Sequence, residues 1–216
     1  MVMAKGMTGA RRRGLVGWAL ALTLACLAAA LPARADIIDR IVAVVGADVI
    51  MLSDVHAVTT LGLMPDAADD EAVIARLIDR ALVLAEVNRF IVPEPDVDLI
   101  TSDIADVRRR FLTSDALAAA LETVGLTEAG LARVVRDNRR IDSYLSQRFG
   151  STVQPTEAEL AQFYRERAGR YSVGAELQSF DQVREQVQRD LQEERRQALI
   201  ADWVARLRER VAITRP

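Results

Sequence analysis

The chain of 216 residues contains one cysteine, one histidine and a single lysine. Cys26 and Lys5 both lie in the first 35 residues, so the remainder has no thiol and only His56 as an imidazole. That excludes a cysteine nucleophile, any metal site needing two or more Cys or His ligands, and stabilisation by disulfides. The sequence also lacks a Gly-x-Ser-x-Gly elbow and a glycine-rich phosphate loop. No catalytic residue, cofactor site or metal site can be named, and the expectation is a protein that is not an enzyme.

Residues 1–35 read as a signal peptide. Lys5, Arg11, Arg12 and Arg13 form a basic start, residues 15–31 are apolar, and Pro32 precedes Ala33-Arg34-Ala35, which suits cleavage before Asp36. Two alternatives exist, an uncleaved anchor and a lipoprotein acceptor at Cys26. The small-x-small ending disfavours the first. Thr23-Leu24-Ala25 before the cysteine and the apolar run after it disfavour the second. Cleavage leaves 181 residues, enough for one domain with a core. It removes five bases and no acid, so 23 bases face 31 acids and the net charge becomes −8. A nucleic-acid partner is not expected at that charge, nor is stable membrane insertion once the leader is gone.

The remainder reads as mostly α. One stretch is β-like: the β-branched run Ile41-Val42-Ala43-Val44-Val45, a turn at Gly46-Ala47-Asp48, and the apolar Val49-Ile50-Met51-Leu52. An isolated hairpin is marginal. The other strand candidate, Val211-Ala212-Ile213-Thr214, lies at the far end, so a small sheet joining both ends is expected. Between them, caps and three/four spacing place helices near residues 53–62, 69–90, 96–112, 114–125, 127–150 and 156–164. Ser53 and Asp54 are the expected caps of the first. Residues 168–179 read as a connector. The longest helix covers residues 180–210, where the stripe Phe180, Val183, Val187, Leu191 is separated by polar residues 192–197 from the stripe Leu199, Ile200, Trp203, Val204, Leu207. Two packing environments, or one helix with a solvated middle turn, both account for that break.

Three features are candidate sites. His56, in the first turns of a short helix, reads as a surface or structural residue. The acids Asp66, Asp69, Asp70 and Glu71 lack the spacing and turn glycine of a calcium loop and suit a helix N-terminus. Arg108-Arg109-Arg110 reads as a solvated helix end, with a docking surface as the alternative.

The run from Ile37 through Ile41-Val42-Ala43-Val44-Val45 to Ser53-Asp54-Val55 resembles the start of the periplasmic chaperone SurA family, in which a strand pair leads into the first helix directly after the signal peptide. Leu77-Ile78-Asp79-Arg80-Ala81-Leu82, Arg139-Arg140-Ile141-Asp142-Ser143-Tyr144-Leu145, Thr156-Glu157-Ala158-Glu159-Leu160 and the closing stretch with Trp203, Leu207 and Ile213 continue the resemblance in order. It implies a chaperone core over residues 36–167, a connector at 168–179 where relatives carry parvulin-type prolyl isomerase domains, and a closing helix and strand over residues 180–216. The implied function is ATP-independent holding, in the periplasm, of unfolded outer-membrane or secreted polypeptides in an apolar crevice, without isomerase activity. The alternative is a dedicated helical scaffold or assembly factor for one envelope partner, with a swapped homodimer left open. Client-binding residues stay unassigned, because a stripe residue is more often core than binding surface.

Overall fold

The computed structural model describes residues 39–150, 154–174 and 176–216. The expected signal peptide, including Cys26, and the stretch 36–38 lie outside the described residues. Strand β1 (Ile41–Val45) pairs antiparallel with β2 (Asp48–Met51), joined by Gly46-Ala47. Gly46 has φ 60, the left-handed value that a two-residue hairpin loop needs at its first central position. A register shift between Ile41 and Ala43 makes Val42 an extra residue, so Val42, Ala43 and Val45 are all buried. On the other edge of β1 lies β5 (Ile213–Thr214), with Val44 opposite Thr214 and Val45 opposite Ile213. The Gly46 N–H donates to the Ala212 carbonyl at 2.9 Å. The two ends of the described chain thus form one sheet in the order β2-β1-β5, as the strand patterns indicated.

Seven α-helices fill the interval among the described residues: α1 (Leu52–Thr60), α2 (Asp70–Val87), α3 (Val97–Arg108), α4 (Ser114–Thr123), α5 (Glu128–Phe149), α6 (Glu157–Glu166) and α7 (Phe180–Arg210). Asp69 and Thr127 each accept a first-turn N–H and Thr156 and Glu159 form a reciprocal box, as expected, whereas α4 is capped by Thr113 and not by the expected Ser114, which begins the helix. At α1 the roles differ from expectation. Asp54 reaches back to the Met51 N–H at 2.8 Å, whereas Ser53 lies inside the first turn with its N–H and hydroxyl on Asp39. The connector holds a 3-10 turn (Ala168–Tyr171) and a miniature hairpin of β3 (Ser172–Val173) and β4 (Glu176–Leu177).

Packing divides into three apolar clusters. The sheet covers α1 and α2 and takes in Tyr144 of α5 and Trp203 and Leu207 of α7. A second cluster joins Leu61, Ile100 and Val107 to Leu117, Leu121, Leu131 and Val135. The third sets Leu160 and Phe163 of α6 and Tyr171 against Val183, Val187 and Leu191 of α7. The broken stripe of α7 therefore serves two packing environments along a helix about 46 Å long. In the sheet cluster, Trp203 meets Tyr144 and Phe149 at ring distances of 6.0 and 5.6 Å, and the Arg148 guanidinium lies 5.3 Å from the Trp203 ring.

Ion pairs join α6 to the first half of α7: Glu157 with Arg184, Glu159 with Arg195, and Arg167 with Glu194. Hydrogen bonds to Glu159, from the Thr156 N–H first and then from Arg195, hold its carboxyl down at about 2. A depressed carboxyl stabilises the fold above its ordinary value of 4.5, and that contribution is lost as the pH falls toward 2. Glu159→Ala should therefore melt below the parent at pH 7, with the two curves converging between pH 4.5 and 2; a gap independent of pH would show that the carboxylate charge is not the cause. Deleting residues 211–216 removes β5 and the pairing of Arg215 with Glu71, and should lower the melting temperature by roughly 5–10 °C. Unchanged melting would mean that the closed sheet contributes nothing.

Candidate functional site

Three elements far apart in sequence enclose a groove of about 610 Å³: α2, α5 and the second half of α7. Its wall is largely aliphatic, with Met64, Val83, Ile141, Ile200 and Val204, and the small Ala201 and Ala205 stand one turn apart on α7. The small side chains leave the space that a larger residue on that face would fill. At the rim, Arg208 Nε–H donates to Asp79 at 2.6 Å and its Nη2 to the Ala75 carbonyl at 3.2 Å, pinning α7 to α2.

The floor is polar. Arg80 Nε–H donates to Asn138 Oδ1 at 2.8 Å, and Asp137 lies 4.0 Å from the guanidinium. Burial pushes the Arg80 guanidinium below its ordinary range, against the opposing pull of Asp137 and Asp54. Behind Arg80 and Met64, a second recess of about 270 Å³ lies between β2, α1 and α2, lined by Ile50, Val58, Leu77 and Leu84. A third, of about 320 Å³, opens between α3 and α5 beside the Asp103–Arg139 pair. Asn138 lines all three, so they converge on one side chain. Asp142 faces both the groove and the third recess. It reaches solvent, yet desolvation by the surrounding helices raises its carboxyl above the usual range; Arg139 opposes the shift, Asp103 adds to it and Arg196 opposes it.

The residues weighed from the sequence lie elsewhere. His56 is exposed on α1. Asp69 caps α2 and Glu71 pairs with Arg215, and among the described residues no group of His, Cys, Asp and Glu is arranged to hold a metal ion. The arginine run is divided among partners: Arg108 faces Glu128 at 3.6 Å, Arg109 pairs with Asp106, and Arg110 donates to the carbonyls of Leu61 and Gly62. Arg110 thereby meets the C-terminus of α1, where Gly62 turns the chain at φ 63, and all three arginines are exposed, as a solvated helix end requires. The sequence pattern does not single out Arg80 and Asn138, although Asp79 and Arg80 interrupt the apolar run from Leu77 to Leu84, and charges there are a legible signal of partners.

Among the described residues, no helix is long and apolar enough to cross a membrane. No protein-family model matches the chain, and no curated protein matches it.

The raised carboxyl of Asp142 makes a stability prediction. Its folded value lies above the ordinary 3.8, so ionisation opposes folding at neutral pH and the penalty disappears once the pH falls below 3.8. Asp142→Asn should melt above the parent at pH 7, with the gain vanishing in acid; a variant that melts lower at pH 7 would mean that Asp142 is held by an attractive partner.

Proposed function

We propose that this chain is an ATP-independent chaperone of the periplasm, reached through a cleaved leader, which holds unfolded outer-membrane or secreted polypeptides. The observation that carries this reading is the groove between α2, α5 and α7: an open aliphatic trough with a charged rim and a polar floor, suited to apolar side chains of an unfolded segment. The ordered resemblance to SurA-type chaperones supports it as well. The 3-10 turn at Ala168–Tyr171 and the small hairpin after it stand where SurA-type chaperones carry an isomerase domain, which supports leaving that activity out. Prolyl isomerase activity is accordingly not part of the proposal.

The physical scale suits reversible holding. Burying two client aliphatic side chains is worth about 3–6 kcal/mol, and ordering them costs about 0.5–1.5 kcal/mol each. The rigid-body cost of association, about 4 kcal/mol or more, takes most of that surplus, so holding is weak and clients would leave without an energy source. Phe90 and Ile91, exposed after α2, and Val173 and Leu177, exposed on the hairpin, are apolar surface outside the groove. The net charge of −8 expected after leader removal would keep such a surface soluble.

The test is aggregation. The exported protein should delay light scattering by several unrelated outer-membrane polypeptides diluted from denaturant, at about equimolar amounts. Ala201→Trp, which fills the groove, should lose most of that protection while melting near the parent. Tight binding to one envelope partner with no delay of aggregation would sink the holdase reading and favour a dedicated scaffold.

A further inference from the structure

Asn138 and Asp142 stand four residues apart on α5, and both face the groove. That offset is a rise of about 6 Å along the helix, a distance that an extended chain at about 3.3 Å per residue spans in two residues. Because Asn138 Oδ1 accepts from Arg80, the side-chain NH2 of Asn138 is the group left to act on a ligand, and it is a donor. Among the described residues, neither that NH2 nor the Asp142 carboxylate has a hydrogen-bond partner, and neither is a buried unpaired atom, so both are open to water in the empty groove. An occupant that displaced this water without replacing its hydrogen bonds would lose affinity. A purely aliphatic surface offers no replacement. Extended main chain offers both a carbonyl and an N–H on one edge within that span, whatever its side chains. A cationic side chain would suit Asp142, but it would meet the Arg80 guanidinium and the Asn138 donor on the same floor.

We propose that the groove binds its client as an extended strand, with a main-chain carbonyl accepting from Asn138 and a main-chain N–H donating to Asp142, while apolar side chains settle against Val83, Ile200 and Val204. This rests on the holdase reading and adds its recognition rule: the groove reads the backbone, which every unfolded segment carries, and takes side chains by size and polarity alone.

The test uses a short fluorescent peptide alternating valine and serine, together with the same peptide N-methylated along its central residues. Anisotropy against the full exported chain should show the methylated peptide binding about tenfold more weakly. Asp142→Leu should bind both peptides alike, whereas Asp142→Asn, which keeps an acceptor without the charge, should preserve the discrimination. Equal binding of the two peptides by the parent protein would overturn this proposal alone. So would loss of discrimination in Asp142→Asn with tighter binding of a lysine-containing peptide by the parent, which would identify Asp142 as a cation site. Failure of the parent to bind any of these peptides would overturn the holdase reading together with it.

Discussion

The seating of the second half of α7 in the sheet cluster is the constraint on which the rest depends. Trp203 and Leu207 are both almost fully buried there, against Tyr144 of α5 and the apolar face of α2. Only with that helix in place does the chain return at the height where β5 can pair with β1, and only then does Arg208 reach Asp79 across 129 positions of sequence. Removing the bulk of Trp203 would forfeit about 3–5 kcal/mol, a large share of the stability of an ordinary domain. The aromatic neighbours and the guanidinium of Arg148 over the indole make this joint specific in geometry as well as apolar.

The groove is a by-product of the same docking. Two of its walls, α2 and α5, would exist without α7, but the trough would have no third side. Its width is set by Ala201 and Ala205, a face of the helix with little to contribute to the core. The residues that anchor α7 and those that would touch a client thus alternate on one helix: Trp203 and Leu207 point inward, while Ala201 and Ala205 line the trough. Stability and binding are separated by helical phase, which lets one element do both without a polar residue entering the core.

Much of this architecture is legible in the residues, and the reasons are local. The β-branched run before Gly46 has only one low-cost continuation, a hairpin, and the lone strand pattern at residues 211–214 has nothing else to pair with. The two stripes of α7 correspond to two clusters because apolar periodicity records burial on each side of the polar block at residues 192–197. The groove was not legible, because it depends on pairings between segments that no local period encodes. Arg80 meets Asn138 across 58 positions, and Arg110 meets Leu61 across 49. The connector concealed its hairpin for a different reason: strands of two residues are too short to show alternation. The proposed chaperone activity is a further step, resting on the open trough and on an ordered resemblance.

The pairing of β1 with β5 also governs when the protein can fold. Thr214 lies 170 residues after its partner Val44, so the central strand of the sheet keeps one edge open until nearly the whole chain is available. Closing so long a loop carries an entropy cost that local helix formation does not offset, and contacts of such separation slow folding. Helices α1 to α5 rest on contacts of shorter range, whereas the third strand of the sheet must come from residues 213–214. The sheet therefore closes only once the segment at Ile213–Thr214 has joined β1, after the local helices between them can already have formed.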